Sequence, residues 1–209
     1  RIKRFVQPMA IHLEIERRLS TMIRQGYLSR NPLSPKYYQN LRMLNDLKKN
    51  NVNYLSDTFS PLKEPLCTTA SCFSIIGMSG VGKTTAIERL LLMYPQVIVH
   101  TQYSNKPLYR TQIVWIKIDC AFDGSLKTLC KIFFKAIDDI LGDTNYFKDY
   151  GADKNSTATM MIHMAYLSSL YGIGLLVVDE LQNLVNPKNS PTDTLNFMVT
   201  LVNTIGVPL

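Results

Sequence analysis

The stretch "GMSGVGKTT", residues 77–85, decides the fold of this chain. Gly77, Gly82, Lys83 and Thr84 occupy every fixed position of the pattern G-x-x-x-x-G-K-[ST]. Glycines permit positive φ angles, so consecutive backbone N–H groups can point into one concavity and attract an anion. An apolar run precedes the stretch and an amphipathic helix pattern follows it, which is the context that this motif requires. The stretch therefore predicts a phosphate-binding loop inside an α/β domain.

A second motif, "LLVVDE" at residues 175–180, predicts the other half of the same site. Its four apolar residues place Asp179 and Glu180 at the carboxyl end of a buried strand, where parallel sheets bind their ligands. Lys83 is predicted to reach the β- and γ-phosphates, and the Thr84 hydroxyl to ligate Mg²⁺. Asp179 is predicted to complete the Mg²⁺ shell, and Glu180 to polarise the attacking water.

The predicted cofactors are ATP and Mg²⁺, because the chain contains no Asn-Lys-x-Asp motif of the kind that reads guanine. The predicted catalytic residues are Lys83 and Glu180. The predicted nucleotide-binding residues are Gly77, Ser79, Gly80, Val81, Gly82, Lys83, Thr84, Thr85 and Asp179, of which Thr84 and Asp179 would also bind the metal.

The remainder of the chain after the loop alternates apolar runs with helical patterns. Strands that read as solid apolar runs between helices indicate a parallel sheet covered by helices on both faces. The predicted strands are 72–77, 97–100, 113–119 and 174–180, and the predicted helices are 84–93, 125–141, 156–171 and 195–205. The fold class is therefore α/β, with its nucleotide-binding domain over residues 66–209.

Residues 1–65 are predicted to form a small basic helical element with a linker. Ile11, Ile15, Leu19 and Met22 fall on one side of a first helix, and a second helix is predicted over 36–49. Residues 1–75 contain 12 Lys/Arg and 5 Asp/Glu, whereas residues 76–209 contain 11 of each. Because all the excess positive charge precedes the loop, we expect a polyanionic partner, most simply nucleic acid.

Residues that could contact nucleic acid also occur after the loop. Lys127, Lys131 and Lys135 repeat every four residues and form one row on the helix predicted at 125–141. Lys127 lies in the first turn of this helix, where a cation is unfavourable because the helix dipole is positive there. A phosphate docked on the backbone N–H groups at the start of the helix would offset this effect. A merely solvated row of lysines is an equally good interpretation. Lys106 and Arg110 lie in a polar segment between two predicted strands and could also meet a DNA backbone.

The bulk composition bounds the class of protein. A hydrophobic content of 46% is that of a globular chain, and no apolar run approaches the roughly 20 residues that span a bilayer. There is no basic-then-apolar leader, and the four cysteines form no C-x-x-C pair. We therefore expect a cytoplasmic protein without a membrane partner, whose cysteines are free buried thiols.

Several stretches together resemble one family: "GYLSRNP", "GMSGVGKTT", "YPQVIVH", "WIKIDCAFDGSLKTLCKIFFKAI", "GLLVVDELQNL" and "LNFMVTLVNTIGVPL". They look like the TnsC family, the AAA+ regulators of bacterial Tn-seven-type transposons, with the TniB proteins as relatives. The resemblance implies an AAA+ P-loop core and an ATP-dependent regulator that assembles as a ring or filament around duplex DNA. It would act between a target-selecting protein and the transposase.

The resemblance also carries residue roles. The family's nucleotide residues fall on Lys83, Thr84, Asp179 and Glu180, and its DNA contacts, which are to the backbone, support Lys106, Ser125 and Lys127. In the family, a sensor residue follows the strand that would begin at "VPL", and an arginine finger and lid lie further on. We therefore expect an AAA+ module truncated before the first sensor and the lid, and weak hydrolysis without a neighbouring subunit.

Two other interpretations of the motif pair are open. The chain could be a small-molecule kinase, although no acceptor pocket with its own base and cations is recognisable. It could also be a nucleotide-binding scaffold without turnover.

Overall fold

The computed structural model describes residues 7–28, 31–49, 71–103, 105–121, 125–184, 196, 198–199, 201–203 and 205–209. Its helices are α1 (Ala10–Leu28), α2 (Pro35–Lys49), α3 (Lys83–Leu91), α4 (Leu126–Leu141), α5 (Tyr146–Tyr150) and α6 (Thr157–Leu170). Its strands are β1 (Val97–Tyr103), β2 (Lys106–Ile113), β3 (Trp115–Asp119) and β4 (Leu175–Asp179), and a 3₁₀ turn covers Leu181–Leu184. Residues 196, 198–199, 201–203 and 205 are helical, as predicted for 195–205.

A parallel sheet carries the predicted site. β3 and β4 pair in parallel, with Asp119 opposite Asp179 at their carboxyl ends. On the other side of β4, the Leu176 N–H donates to the Pro208 carbonyl at 2.9 Å. Residue 209 in turn bonds residues 71 and 73 in the staggered pattern of parallel strands. The backbone order across the sheet is therefore 71–73, 207–209, β4, β3.

The predicted buried strand over 72–77 is wrong. Residues 71–78 adopt no regular strand, and Ile76 is 92% exposed. Backbone bonds to Leu209 hold Ser71 and Phe73, and Ile75 still packs against an apolar core, whereas Ile76 does not. An apolar run predicts burial only where a second element covers it, and the described residues place none over Ile76.

Helices cover both faces of the sheet, as predicted. On one face, α4 and α6 pack on the buried side chains Ile116 and Ile118. On the other face, α1 and α3 form a separate core with Val114 and Leu175. The helical side chains buried on the first face include Phe133, Phe134, Ile137, Met160 and Met164, and those on the second include Ile15, Leu19, Met22, Ile23, Ile87, Leu90 and Leu91.

α1 is amphipathic as the spacing predicts, with one exception. Leu19 is 2% exposed and faces α3, whereas Arg17 and Arg24 face solvent. Ile11 was expected on the buried side but is 57% exposed, because the packed stripe begins one turn later, at Ile15. The predicted boundary between residues 65 and 66 lies outside the described residues.

Residues 97–113 form an antiparallel hairpin rather than strands of the parallel sheet. β1 and β2 pair from Val97 opposite Ile113 to Tyr103 opposite Lys106, and Asn105 beside the turn has a φ of 62°. The segment 106–112 was predicted as a polar connection, which is wrong. A hairpin strand that is not covered on both faces alternates polar with apolar residues, so "KPLYRTQI" contains no solid apolar run to reveal it.

Arg110 in β2, which we expected could meet a DNA backbone, makes contacts within the protein itself. Its guanidinium donates to the Ser169 carbonyl at 3.1 Å, near the end of α6, and lies 4.9 Å from the centroid of the Tyr37 ring. Tyr37 in α2 also donates to the Ser169 carbonyl. A cation favours the carbonyl end of a helix and the face of an aromatic ring. Arg110 therefore ties the hairpin to α2 and α6.

Replacing Arg110 should destabilise the fold. We expect Arg110→Ala to lower the free energy of unfolding by about 1–3 kcal/mol, because the Ser169 carbonyl and the Tyr37 ring lose a charged partner. Arg42→Ala, at an exposed site on α2, is the matched control and should change it by less than about 0.5 kcal/mol. Urea unfolding followed by circular dichroism measures both values. Equal effects of the two substitutions would contradict the structural role of Arg110.

Candidate nucleotide-binding site

The loop over 77–85 has the backbone geometry of an anion cradle. Gly80 and Gly82 have φ angles of 79° and 86°, in the left-handed region that favours glycine. A Cβ added at either position would meet nothing within 4 Å, so backbone conformation and not crowding requires glycine there. Gly82 precedes α3 and offers no side-chain cap, which leaves the first N–H groups of the helix available to an anion.

Lys83 folds back on its own loop. Its ammonium donates to the carbonyl oxygens of Gly77 and Met78, each at 2.8 Å. These two bonds hold the cation at the loop, where a phosphate would bind. Phosphate oxygens would therefore have to take over both bonds. Of the other predicted loop residues, Ser79, Val81 and Thr85 are exposed.

Thr84 and Asp179 meet, as expected for two residues that share a metal. The Thr84 hydroxyl donates to Asp179 Oδ2 at 2.8 Å, and the Glu180 N–H donates to Asp179 Oδ1 at 2.9 Å. Burial alone would raise the pKa of Asp179, but these hydrogen bonds and the nearby charge of Lys117 lower it. Asp179 is therefore held as a carboxylate, the form that binds a cation.

Glu180 has an uncommon backbone conformation. Its φ is 55°, and its exposed carboxylate accepts a hydrogen bond from the Gln182 amide. A glutamate in the left-handed region costs free energy, and such strain concentrates at functional sites. This conformation ends β4 at Asp179, because the chain changes direction at Glu180.

Further hydrogen bonds fasten the ends of β3 and β4 together. The Cys120 N–H donates to the Asp179 carbonyl at 3.0 Å. The Asn183 amide returns from the 3₁₀ turn and donates to the Cys120 carbonyl at 3.1 Å. These bonds fix the two carboxyl ends side by side, and the side chains that follow them are held at one edge of the sheet.

Lys117 contacts the site but was missed by the sequence interpretation. Its ammonium lies 3.5 Å from Asp179 Oδ2 and 2.9 Å from Asp119 Oδ1. The signal was available in "WIKID", because Lys117 and Asp119 are two residues apart in a strand and must share a face. A lysine between apolar residues was read only as part of a strand.

The predicted DNA-binding residues lie on two elements. Lys106 is the first residue of β2, next to the hairpin turn. Ser125 is the N-cap of α4, where its hydroxyl accepts the Thr128 N–H at 3.4 Å. Lys127 donates to the Asp153 carbonyl, and Lys131 forms an ion pair with the Asp153 carboxylate. Two lysines of the expected row therefore already contact Asp153, and only Lys135 of the three is exposed.

The donor set fits a Mg²⁺–nucleotide. Among the described residues, no group of three His, Cys, Asp or Glu side chains could hold a metal ion. Mg²⁺ is commonly held by one or two protein ligands together with substrate phosphates. Thr84 and Asp179 supply such ligands beside a loop suited to phosphates, and Lys83 supplies a cation. The chemistry of the side chains thus matches nucleotide phosphates with Mg²⁺.

Comparison with known protein families agrees with this geometry. Residues 67–209 match a family described as AAA domain. The chain belongs to this AAA-domain family. AAA domains are P-loop modules that bind ATP, typically with Mg²⁺, and generally hydrolyse it. No curated protein matches the chain. No helix in the described part of the chain is long and apolar enough to cross a membrane.

The cysteines differ from the expectation that all four are buried. Cys120 and Cys130 are buried, Cys72 is exposed, and Cys67 lies outside the described residues. Burial raises the pKa of both buried thiols to about 12, and the neighbouring carboxylates of Asp119, Asp179 and Glu180 add to the shift at Cys120.

Thiol labelling tests the packing around Cys120. At pH 8 we expect iodoacetamide to modify Cys72 at least about a hundredfold faster than Cys120 or Cys130, because the thiolate is the nucleophile. Peptide mass mapping over time measures the rates, and labelling in urea is the control in which the three should converge. Native labelling of Cys120 at the rate of Cys72 would contradict the described end of β3.

Proposed function

We propose that the protein is an ATP-dependent switch of the TnsC type, which oligomerises on duplex DNA and couples target-site selection to transposase recruitment. The observation that carries the nucleotide part is the contact between Thr84 and Asp179, which unites the two motifs. The DNA and transposition parts rest on the family resemblance of the sequence. The exposed arginines of α1 support them with positive charge on the surface.

The nucleotide part assigns a task to each residue. The N–H groups of the loop and of the start of α3 bind phosphate oxygens, and Lys83 leaves the carbonyls of Gly77 and Met78 for them. Mg²⁺, when bound, neutralises charge that develops on the phosphates during transfer. Thr84 and Asp179 hold the metal. Glu180 orients a water at the γ-phosphate, which requires its carboxylate to turn from Gln182 or to act together with it.

The DNA part proposes contacts to phosphate and not to bases. Lys106, Ser125 and Lys127 are the proposed contacts. Because Ser125 begins α4, its backbone could approach a phosphate without its hydroxyl leaving the cap. Lys127 would have to exchange the Asp153 carbonyl for the phosphate, so its net contribution should be smaller than that of Lys106.

Assembly on DNA under three nucleotide conditions tests the proposal. We expect the chain to bind duplex DNA with ATP or a non-hydrolysable analogue. With ADP or no nucleotide the affinity should be at least about tenfold lower, which lies within the usual range for coupling between two binding sites. Fluorescence polarisation with duplexes of increasing length gives the affinity, and electron microscopy shows rings or filaments. Equal affinity in all three states would contradict a nucleotide switch.

Two substitutions separate binding from turnover. Lys83→Ala should abolish ATP-dependent assembly, because the loop loses its phosphate cation. Glu180→Gln should bind ATP and assemble but disassemble at least about tenfold more slowly, because removing a catalytic base costs that much or more. Disassembly of Glu180→Gln at the wild-type rate would contradict its role. ATP consumption only with a small acceptor would favour a kinase, and binding without turnover would favour a scaffold.

Salt dependence tests the proposed DNA contacts. Lys106→Ala should reduce the slope of log affinity against log salt by about one, because one phosphate contact is lost. Lys127→Ala should reduce it by less, since the ammonium already has a protein partner. Lys148→Ala, at an exposed site on α5, is the control for a general loss of charge. Identical slopes for Lys106→Ala and Lys148→Ala would remove Lys106 from the interface.

A further inference from the structure

Lys117 is a charged residue in a position where its neighbours are apolar. Side chains alternate along β3, so Ile116 and Ile118 enter the core under α4, and Lys117 points to the face that carries α3. On that face Trp115 and Val177 pack against the apolar core of α1 and α3. The Lys117 side chain is only 17% exposed. Placing a cation there costs desolvation, which requires compensation.

Three carboxylates surround its ammonium. The nitrogen lies 2.9 Å from Asp119 Oδ1, 3.2 Å from Glu88 Oε1 and 3.5 Å from Asp179 Oδ2. Burial favours the neutral amine, but hydrogen bonds to Asp119 and Glu88 outweigh it and raise the pKa of Lys117. The three acids come from β3, α3 and β4, so this one cation links the helix and the two strands that carry Thr84 and Asp179.

One oxygen atom connects Lys117 to the metal ligands. Asp179 Oδ2 lies near the ammonium and also accepts the Thr84 hydroxyl. Asp119 and Asp179 are partners in the register of β3 and β4, and like charges on paired residues repel. Without Lys117, this repulsion would push the Asp179 carboxylate away from its place beside Thr84.

We propose that Lys117 is a built-in counter-ion of the candidate magnesium site, a positioning residue that holds Asp179 beside Thr84 until a metal ion replaces its charge. The inference rests on the proposed function, because it takes Asp179 as a metal ligand. A cation already present beside Asp179 weakens the attraction for a second one. The protein thus gives up metal affinity in exchange for a site that is ordered before the nucleotide arrives.

Metal dependence of nucleotide binding tests this role. The variants are Lys117→Met, which removes the charge, and Lys117→Arg, which keeps it. Lys131→Met, which breaks the ion pair between Lys131 of α4 and Asp153, is the matched control. The Kd of fluorescent ADP for each protein is measured twice, once in buffer with Mg²⁺ and once in buffer with EDTA. We expect the ratio of Kd in EDTA to Kd in Mg²⁺ to rise about fivefold in Lys117→Met, as for one charge at a partly exposed site.

The same ratio should stay within about twofold of wild type in Lys117→Arg and Lys131→Met, because the former keeps the charge and the latter lies outside the site. An unchanged or smaller ratio in Lys117→Met would overturn the inference, since a residue that only packs β3 on α3 has no reason to alter metal dependence.

A second measurement needs neither metal nor nucleotide. In EDTA, Lys117→Met should lower Tm, and adding Asp179→Asn should raise it again, because the repulsion is removed with the charge. Asp179→Asn added to Lys131→Met should produce no such recovery. If Asp179→Asn lowers Tm in the Lys117→Met background as much as in wild type, the counter-ion role is wrong.

The two arms separate failure of this inference from failure of the proposed function. A wild-type chain that binds no nucleotide would refute the proposed function, and the recovery of Tm in EDTA would then decide the role of Lys117. A wild type that binds ADP with Mg²⁺, but whose Lys117→Met variant shows neither the ratio change nor the recovery, would refute the counter-ion alone.

Discussion

The hydrogen bond between Thr84 and Asp179 joins residues that are 95 positions apart in the chain, and the site depends on it. It forms only if α3 starts at the loop and β4 ends beside it. The first condition follows from Gly82, whose left-handed conformation turns the loop into the helix. The second follows from the packing of α3 on Leu175 and Val177 of β4 in one apolar core.

Charge sets the second constraint on the site. Asp119, Asp179 and Glu88 lie around Lys117, while Lys83 is bonded to the carbonyls of its own loop. The acidic cluster and the cationic loop thus remain separate, each with its own internal partner. Under the proposed function, the nucleotide phosphates would replace the carbonyls around Lys83, and the metal ion would replace the charge of Lys117 beside Asp179. Binding would then exchange internal contacts for external ones.

The sequence predicted those parts of the structure in which local pattern and tertiary environment agree. The loop, β4 and α4 were predicted because motif and apolar period agree there with the tertiary environment. The Ser125 cap of α4 is seen only in the structure. The hairpin over 97–113 was missed because its second strand mixes polar with apolar residues and contains no solid apolar run. The site contact of Lys117 was missed because it depends on how β3 and α3 pack, and no local pattern encodes that packing.

The position of α1 bears on how nucleotide and DNA could influence each other under the proposed function. Ile15, Leu19 and their neighbours pack directly on α3, the helix that begins at the phosphate loop, and Glu16 accepts a hydrogen bond from Tyr94 just after α3. The opposite face of α1 carries exposed arginines. A close-packed interface transmits displacement because its side chains cannot be compressed. Under the proposed function, a shift of α3 on nucleotide binding would therefore be passed directly to α1 and to its exposed arginines.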